Sequence, residues 1–232
     1  VDALGKEAIP LTYDGAFSFV NGLARVFSNE RGGFINTNGK VVVPFRYSSM
    51  RNFSDDMALV FAGENRGFVN RTGVEVVPTI YPAAFDFTEG LAGVQDPKTQ
   101  YWGFIDKTDK NVIAFQYQNI LPFSEGLAAV KRDNKWGYIN KSGNLLIPPQ
   151  FDIAYSFFDG EAYVGTGDDY RYIKSPFTPE AEDLQEFKDA SGLYGFQNKP
   201  GVTVIQPKYL SAGPFSEGLS LVKAGDKWGF ID

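Results

Sequence analysis

The sequence predicts an all-β repeat protein. Its units are three-stranded antiparallel meanders of about 34 residues, expected to close into a β-propeller-like ring of six or seven blades, with an open β-meander or solenoid as the alternative. Three observations carry this expectation. The run Trp136-Gly137-Tyr138-Ile139-Asn140 recurs along the whole chain, apolar residues alternate with period two around it, and each copy is punctuated by the same Asn, Gly and Pro positions.

The copies of that run are Gly32 to Asn36, Arg66 to Asn70, Trp102 to Asp106 and Trp228 to Asp232, with weaker ones at Tyr170 to Lys174 and Tyr194 to Asn198. Their second residues stand at 33, 67, 103, 137, 171, 195 and 229, so the steps are 34, 36, 34, 34, 24 and 34. Two further blocks keep register. Phe123-Ser124-Glu125-Gly126-Leu127-Ala128-Ala129-Val130 recurs from Phe19, Phe53, Phe87, Phe157 and Phe215. Ile147-Pro148-Pro149-Gln150-Phe151 recurs from Ile9, Val43, Val77, Ile113 and Ile205. The step of 36 reflects a longer hairpin loop between Val94 and Trp102. The step of 24 reflects the stretch Ser175 to Asp183, which has lost two blocks.

Within a unit, Leu127 to Arg132 and Trp136 to Asn140 read as strands joined by Asp133-Asn134, a pair suited to a two-residue hairpin. Asn140-Lys141-Ser142-Gly143 is a turn signature, repeated at Asn36 and Asn70. A third strand from Asn144 ends at Pro148, and an irregular return leads to the next unit. Units are expected at 7–36, 41–70, 75–106, 111–140, 145–174, 175–198 (degenerate) and 203–232, forming one domain over 1–232. A sheet this small cannot bury its aromatic faces alone, so Trp102, Trp136, Trp228, Phe34, Phe68, Phe104, Tyr138 and Phe230 are expected to pack one unit on the next. The final hairpin lacks a third strand, and Ile9 to Tyr13 is a third strand without a hairpin; the two are expected to complete one sheet.

Composition removes many chemistries. With no His and no Cys, the chain has no Ser-His-Asp or Cys-His centre, no Cys- or His-based zinc site and no disulfide. A formal net charge of −6 argues against nucleic acid as a partner. No run is apolar and long enough for a transmembrane segment. Neither a cofactor nor a metal site is indicated.

The blocks Lys135-Trp136-Gly137-Tyr138-Ile139-Asn140 and Lys227-Trp228-Gly229-Phe230-Ile231-Asp232, with Phe-Ser-Glu-Gly-Leu-Ala before and Ile-Pro-Pro after, resemble the WG (KWG) repeat family of bacteria over nearly the whole chain. Gly32 and Arg66 in the Trp column depart from the pattern, as does the stretch Asp168 to Asp183. The resemblance implies a β-repeat protein of the bacterial envelope or surface without general catalytic activity.

The recurring acids Asp55, Glu89, Glu125, Asp159 and Glu217 are read as caps within their own units. Binding is expected where the repeat breaks: Asp168, Asp169, Tyr170, Arg171 and Tyr172, followed by Glu180, Glu182, Asp183 and Glu186, together with Lys98 and Tyr101 in the longer loop. The resulting expectation is a non-enzymatic scaffold for a protein, peptide or glycan. The alternative is a carbohydrate-active enzyme using a carboxylate pair in the broken unit.

Overall fold

In the computed structural model, residues 8–176, 184–197, 203–216 and 219–231 are described. They are all-β. Module 1 contains β1 (Gly15–Ala16), β2 (Leu23–Ser28), β3 (Arg31–Asn36) and β4 (Val41–Tyr47) in spatial order 1-2-3-4. Module 2 repeats this with β5 (Ser49–Ser54), β6 (Met57–Ala62), β7 (Asn65–Asn70) and β8 (Glu75–Tyr81). Module 3 has β9 (Leu91–Gln95), β10 (Trp102–Asp106) and β11 (Asn111–Tyr117). Module 4 has β12 (Asn119–Ile120), β13 (Leu127–Arg132), β14 (Lys135–Asn140) and β15 (Leu145–Phe151).

Module 5 holds β16 (Ile153–Ala154), β17 (Glu161–Thr166) and β18 (Asp169–Lys174). Module 6 holds β19 (Gln185–Lys188), β20 (Tyr194–Gln197) and β21 (Thr203–Tyr209). Module 7 holds β22 (Ser211–Ala212), β23 (Ser220–Ala224) and β24 (Lys227–Ile231). Where one domain was expected, the chain divides into two compact units, Val1–Tyr172 and Ile173–Asp232. Among the described residues no helix is long and apolar enough to cross a membrane.

The turns are those the sequence demands. Asp133 and Asn134 both take positive φ, as a type I′ hairpin requires. Asn140 Oδ1 accepts the amides of Ser142 and Asn144, and Gly143 N donates to the Asn140 carbonyl at 2.9 Å. Asn36, Asn70, Asp106 and Asp189 repeat the arrangement.

The irregular return holds an additional short strand. It pairs with the first hairpin strand at Ala16↔Val26, Met50↔Val60, Ile120↔Val130, Ala154↔Val164 and Ala212↔Val222, and an isolated bridge Ala84↔Val94 completes the series. Two residues are too few to leave a periodic signal. Ile9 to Tyr13, expected as a third strand, form no strand. Ile9 and Tyr13 instead pack on Ala24, Val26 and Ile35.

The conserved geometry of the Trp-Gly step has a steric cause. Trp136 pairs with Phe151 but Tyr138 pairs with Ile147, so a bulge carrying Pro148 and Pro149 lies opposite Gly137. A Cβ on Gly137 would stand 2.4 Å from the Ile147 carbonyl oxygen. Only glycine fits there.

The glue between modules is not the tryptophan column. Trp102 and Trp136 are half-buried, and Trp228 is 56% exposed. The buried column lies two residues on: Phe34, Phe68, Phe104, Tyr138 and Phe196 are essentially inaccessible. Each meets the phenylalanine 19 residues later in the next module, with centroid separations of 4.9 Å for Phe34–Phe53, 4.8 Å for Phe68–Phe87, 4.7 Å for Phe104–Phe123, 4.8 Å for Tyr138–Phe157 and 5.0 Å for Phe196–Phe215. Core clusters accordingly span successive modules. Phe230, expected to pack, is 70% exposed.

Three of the recurring acids, Asp55, Glu89 and Glu125, act across modules. Glu89 accepts Gly126 N, Glu125 accepts Gly160 N at 3.0 Å, and Asp55 accepts Gly90 N. Lys107 and Lys141, from the turns of the following modules, pair with Asp55 at 2.8 Å and Glu89 at 3.0 Å. The Lys107 hydrogen bond holds the Asp55 carboxyl below the usual carboxylate range, helped by the Gly90 amide and opposed by burial. Glu217 lies outside the described residues.

Two outcomes follow from these contacts. In urea unfolding, Phe104→Ala should cost about 3–5 kcal/mol, whereas Trp228→Ala, at an exposed site, should fall within about 0.5 kcal/mol of the parent. Equal losses would return the tryptophan column to the role of glue. For Asp55, a lowered folded pKa means that the stabilisation is complete above the ordinary aspartate value of about 4 and disappears as pH falls through the folded value. The melting temperature of the parent should therefore exceed that of Asp55→Asn by a constant gap near neutral pH. That gap should close below about pH 4, and a pH-independent gap would refute the clasp.

Candidate functional site

Module 5 departs most from the pattern while keeping its sheet. β17 carries Tyr163 where β13 carries Ala129, β9 carries Gly93 and β6 carries Leu59. β18 carries Tyr170 and Tyr172, two residues apart and so on one face. Gly165 gives the Tyr170 ring its place, since a Cβ there would lie 2.6 Å from two ring atoms.

The result is an exposed tyrosine cluster. Around Tyr163 stand Tyr170, stacked at 6.2 Å and 18°, Tyr172 at 5.1 Å and Tyr155 at 6.1 Å. Tyr155, Tyr170 and Tyr172 are 57%, 52% and 68% exposed. The Tyr155 carbonyl accepts the Tyr138 hydroxyl at 2.8 Å, which ties the cluster to the buried column. Burial raises the Tyr138 hydroxyl pKa, so the group stays a donor at every physiological pH. In other modules this face is covered by the phenylalanine 19 residues on. Tyr172 would need one at position 191, where Ser191 stands.

The residues expected to act together are split by strand alternation. Tyr170 and Tyr172 join Tyr163, while Asp169 and Arg171 alternate to the opposite face and pair with each other. Asp168 lies exposed in the turn beside Gly167, whose amide donates to Asp152 Oδ2 at 2.9 Å. Glu180, Glu182 and Asp183 lie outside the described residues, and Glu186 is exposed on β19.

Lys98 and Tyr101 belong to a separate place, the hairpin loop of module 3. There Asp96 Oδ1 accepts the amides of Lys98 and Thr99 at 2.7 and 2.8 Å, and Tyr101 is 44% exposed. The Thr99 and Lys98 amides hold the Asp96 carboxyl below its usual range.

Sequence reasoning passed over Tyr155, Tyr163 and Phe158. The signal was present for two of them. Tyr163 is the one aromatic residue in a column that holds Arg25, Leu59, Gly93, Ala129 and Leu221 in other described modules. Phe158, 83% exposed, replaces the Ser54 and Ser124 hydroxyls that donate to the next module's Phe87 and Phe157 carbonyls at 2.7 Å.

With the repeated sheet and its junctions established, the sequence can be compared with known proteins. A family model described as WG containing repeat matches residues 1–31, 33–64, 67–96, 102–136, 136–168 and 194–228. The chain belongs to the WG-repeat family. The one long interval between matches, 169–193, contains β18 with the expected binding residues Asp169, Tyr170, Arg171 and Tyr172, while Asp168 lies inside a match and Lys98 and Tyr101 lie in the short interval 97–101.

No curated protein matches the chain. Among solved structures, the N-terminal domain of Nup159 aligns over 91% of this WG-repeat chain and 86% of its own, at 10% identity and a TM-score of 0.39. The WD40 domain of SCAP from fission yeast aligns over 87% and 65%, at 12% identity and 0.27. The extracellular domain of a putative hybrid two-component system from B. thetaiotaomicron aligns over 95% of this chain but only 38% of its own length, at 10% identity and 0.34. At these scores the likeness adds nothing to the module geometry.

The tyrosine stack itself can be tested. Gly165→Ala should displace the Tyr170 ring and change the near-ultraviolet circular dichroism of the tyrosines. Gly229→Ala, with nothing within 4 Å of the added Cβ, should leave the spectrum unchanged. Identical spectra for all three proteins would mean that the rings are not held as described.

Proposed function

We propose that this WG-repeat chain is a non-catalytic scaffold that binds a protein, peptide or glycan through the tyrosine face of module 5. The observation that carries this reading is the cluster of Tyr155, Tyr163, Tyr170 and Tyr172, at the point where the repeat departs from its own pattern. Tyrosine presents a large contact area and a polar tip while losing few rotamers on binding. Strands hold the rings, so the surface is organised before the partner arrives and little ordering entropy is lost. A location at the bacterial envelope or surface goes with this reading and rests on the family resemblance.

The catalytic alternative would draw on Asp168 and Asp169. Asp169, however, is already engaged by Arg171, and a glycosidase requires two free carboxyl groups about 5–9.5 Å apart across a cleft. A scaffold is therefore the better reading of this module.

The test presents the parent protein and a Tyr163→Ala/Tyr172→Ala variant to a glycan array and to a cell-envelope extract of a bacterial host. Whatever the parent retains, the double variant should bind at least about tenfold more weakly, as when anchoring aromatics are removed from an interface. Equal retention would move the site elsewhere. Turnover of chromogenic glycosides that disappears in Asp168→Asn/Asp169→Asn would establish the enzyme instead.

A further inference from the structure

Within Val1–Tyr172 three successive junctions place a buried tyrosine at the end of one module's last strand against the start of the next module's. At the first, the Tyr47 hydroxyl donates to Glu75 Oε2 at 2.8 Å, and Arg46 Nη2 donates to the same oxygen at 2.7 Å. Burial and the Glu75 carboxylate together push the Tyr47 pKa up to about 12. At the second junction, the Tyr81 hydroxyl donates to Asp109 Oδ1 at 2.8 Å. The two acceptors hold different places: Glu75 pairs with Val69 at the start of its strand, whereas Asp109 lies in the turn two residues before Asn111, which has Glu75's register.

At the third junction Leu145, 48% exposed and without an acceptor, stands in the register place of Glu75, and Gly143 stands in that of Asp109. The buried Tyr117 hydroxyl has one long contact, from Gln116 Nε2 at 3.4 Å. Beside the Tyr117 hydroxyl there is a cavity of about 400 Å3, lined among others by Gln116, Arg132, Asp133, Lys135, Gly143 and Leu145. Its charge has changed sign relative to the second junction, where Asp96 and Asp109 both act on Tyr81. Lys135 is held by Asp152, but Arg132 has only a 4.0 Å contact to Asp133, whose side chain is 95% exposed.

We propose that this cavity binds a carboxylate supplied by a ligand, which serves the tyrosine as Glu75 and Asp109 do at the two preceding junctions. One ligand oxygen accepts the Tyr117 hydroxyl, and the Arg132 guanidinium pairs with the carboxylate, for which its planar fork is suited. The site lies in modules 3 and 4 and does not depend on the tyrosine face of module 5. The carboxylate is either that of a small free acid or an acidic side chain on a partner chain.

The experiment uses the full chain labelled with [13C]tyrosine, at fixed ionic strength. The Tyr117 resonance is assigned by its loss in Tyr117→Phe. Glutarate, a short blocked peptide containing one Glu, the matching Gln peptide and sulfate are titrated separately.

A saturable shift of Tyr117 with glutarate or the Glu peptide, and none with the Gln peptide, is the expected result. Tighter binding of the peptide assigns the ligand to a partner chain, and equal or tighter binding of glutarate to a free acid. Arg132→Gln should weaken binding at least about tenfold, the scale of a lost charged hydrogen bond. Leu145→Glu, which restores a carboxylate within the chain, should abolish binding, while Leu145→Gln should bind as the parent does. Melting temperatures check that each variant is folded. An equal shift with sulfate, no saturable shift with any carboxylate, or unchanged binding in folded Leu145→Glu would each overturn the proposal.

Discussion

Everything in this fold depends on one aromatic contact, made between residues 19 apart from module 1 through to module 5 and again from module 6 to module 7. A sheet of three or four short strands has too little interior to fold alone, so its stability must come from its neighbour. Phe34, Phe68, Phe104, Tyr138 and Phe196 project from the middle of their strands into that neighbour and meet a phenylalanine at 4.7–5.0 Å, mostly tilted or edge-on. Such pairs add about 0.5–1.5 kcal/mol to the area they bury. The contact also explains which insertions the repeat accepts. The two extra residues of module 3 fall in its hairpin loop, outside the 19-residue link, and Phe104–Phe123 is undisturbed.

Much of this is legible in the sequence. Repeat length, hairpin turns and the Asn-to-Gly turn follow from local rules, and the structure has each of them. The third strand, expected to end at Pro148, instead bulges at the prolines and pairs on to Phe151. What misled was the Trp-Gly step. Trp136 and Tyr138 are two apart on one strand, so they share a face and periodicity cannot separate them. Position along the strand separates them: Trp136 stands at the hairpin end, near the rim, and Tyr138 stands mid-sheet, under Phe157. The motif is conspicuous because of its tryptophan, but the constraint belongs to the glycine beside it.

The acids were misread for a related reason. In Glu125-Gly126 both residues have positive φ, a conformation that favours Asn, Asp or Gly over Glu. Local capping logic looks for a partner within a few residues, and none is needed there. The partner is the Gly160 amide, 35 residues on. The bond to the next module holds the residue in this strained backbone, and Glu89 toward Gly126 and Asp55 toward Gly90 do the same. No pattern confined to one unit can reveal such a bond.

Repetition then becomes a means of separating architecture from function. Each column is an internal control, since the same backbone environment is filled several times by one chain. A column holding one chemistry throughout reports packing. A departure that adds contact surface, as Tyr163 does in the place of Ala129 and Gly93, leaves the sheet intact and changes only what it presents to solvent. A departure that removes a partner, as Leu145 does in the register place of Glu75, leaves a buried tyrosine's hydroxyl short of an acceptor. Buried polar groups are costly when unpaired, so the second kind of departure specifies more than the first. Tyr163 and its neighbours define only a surface that a partner's shape and polarity must match, whereas Tyr117 and Arg132 define the functional group the ligand must bring.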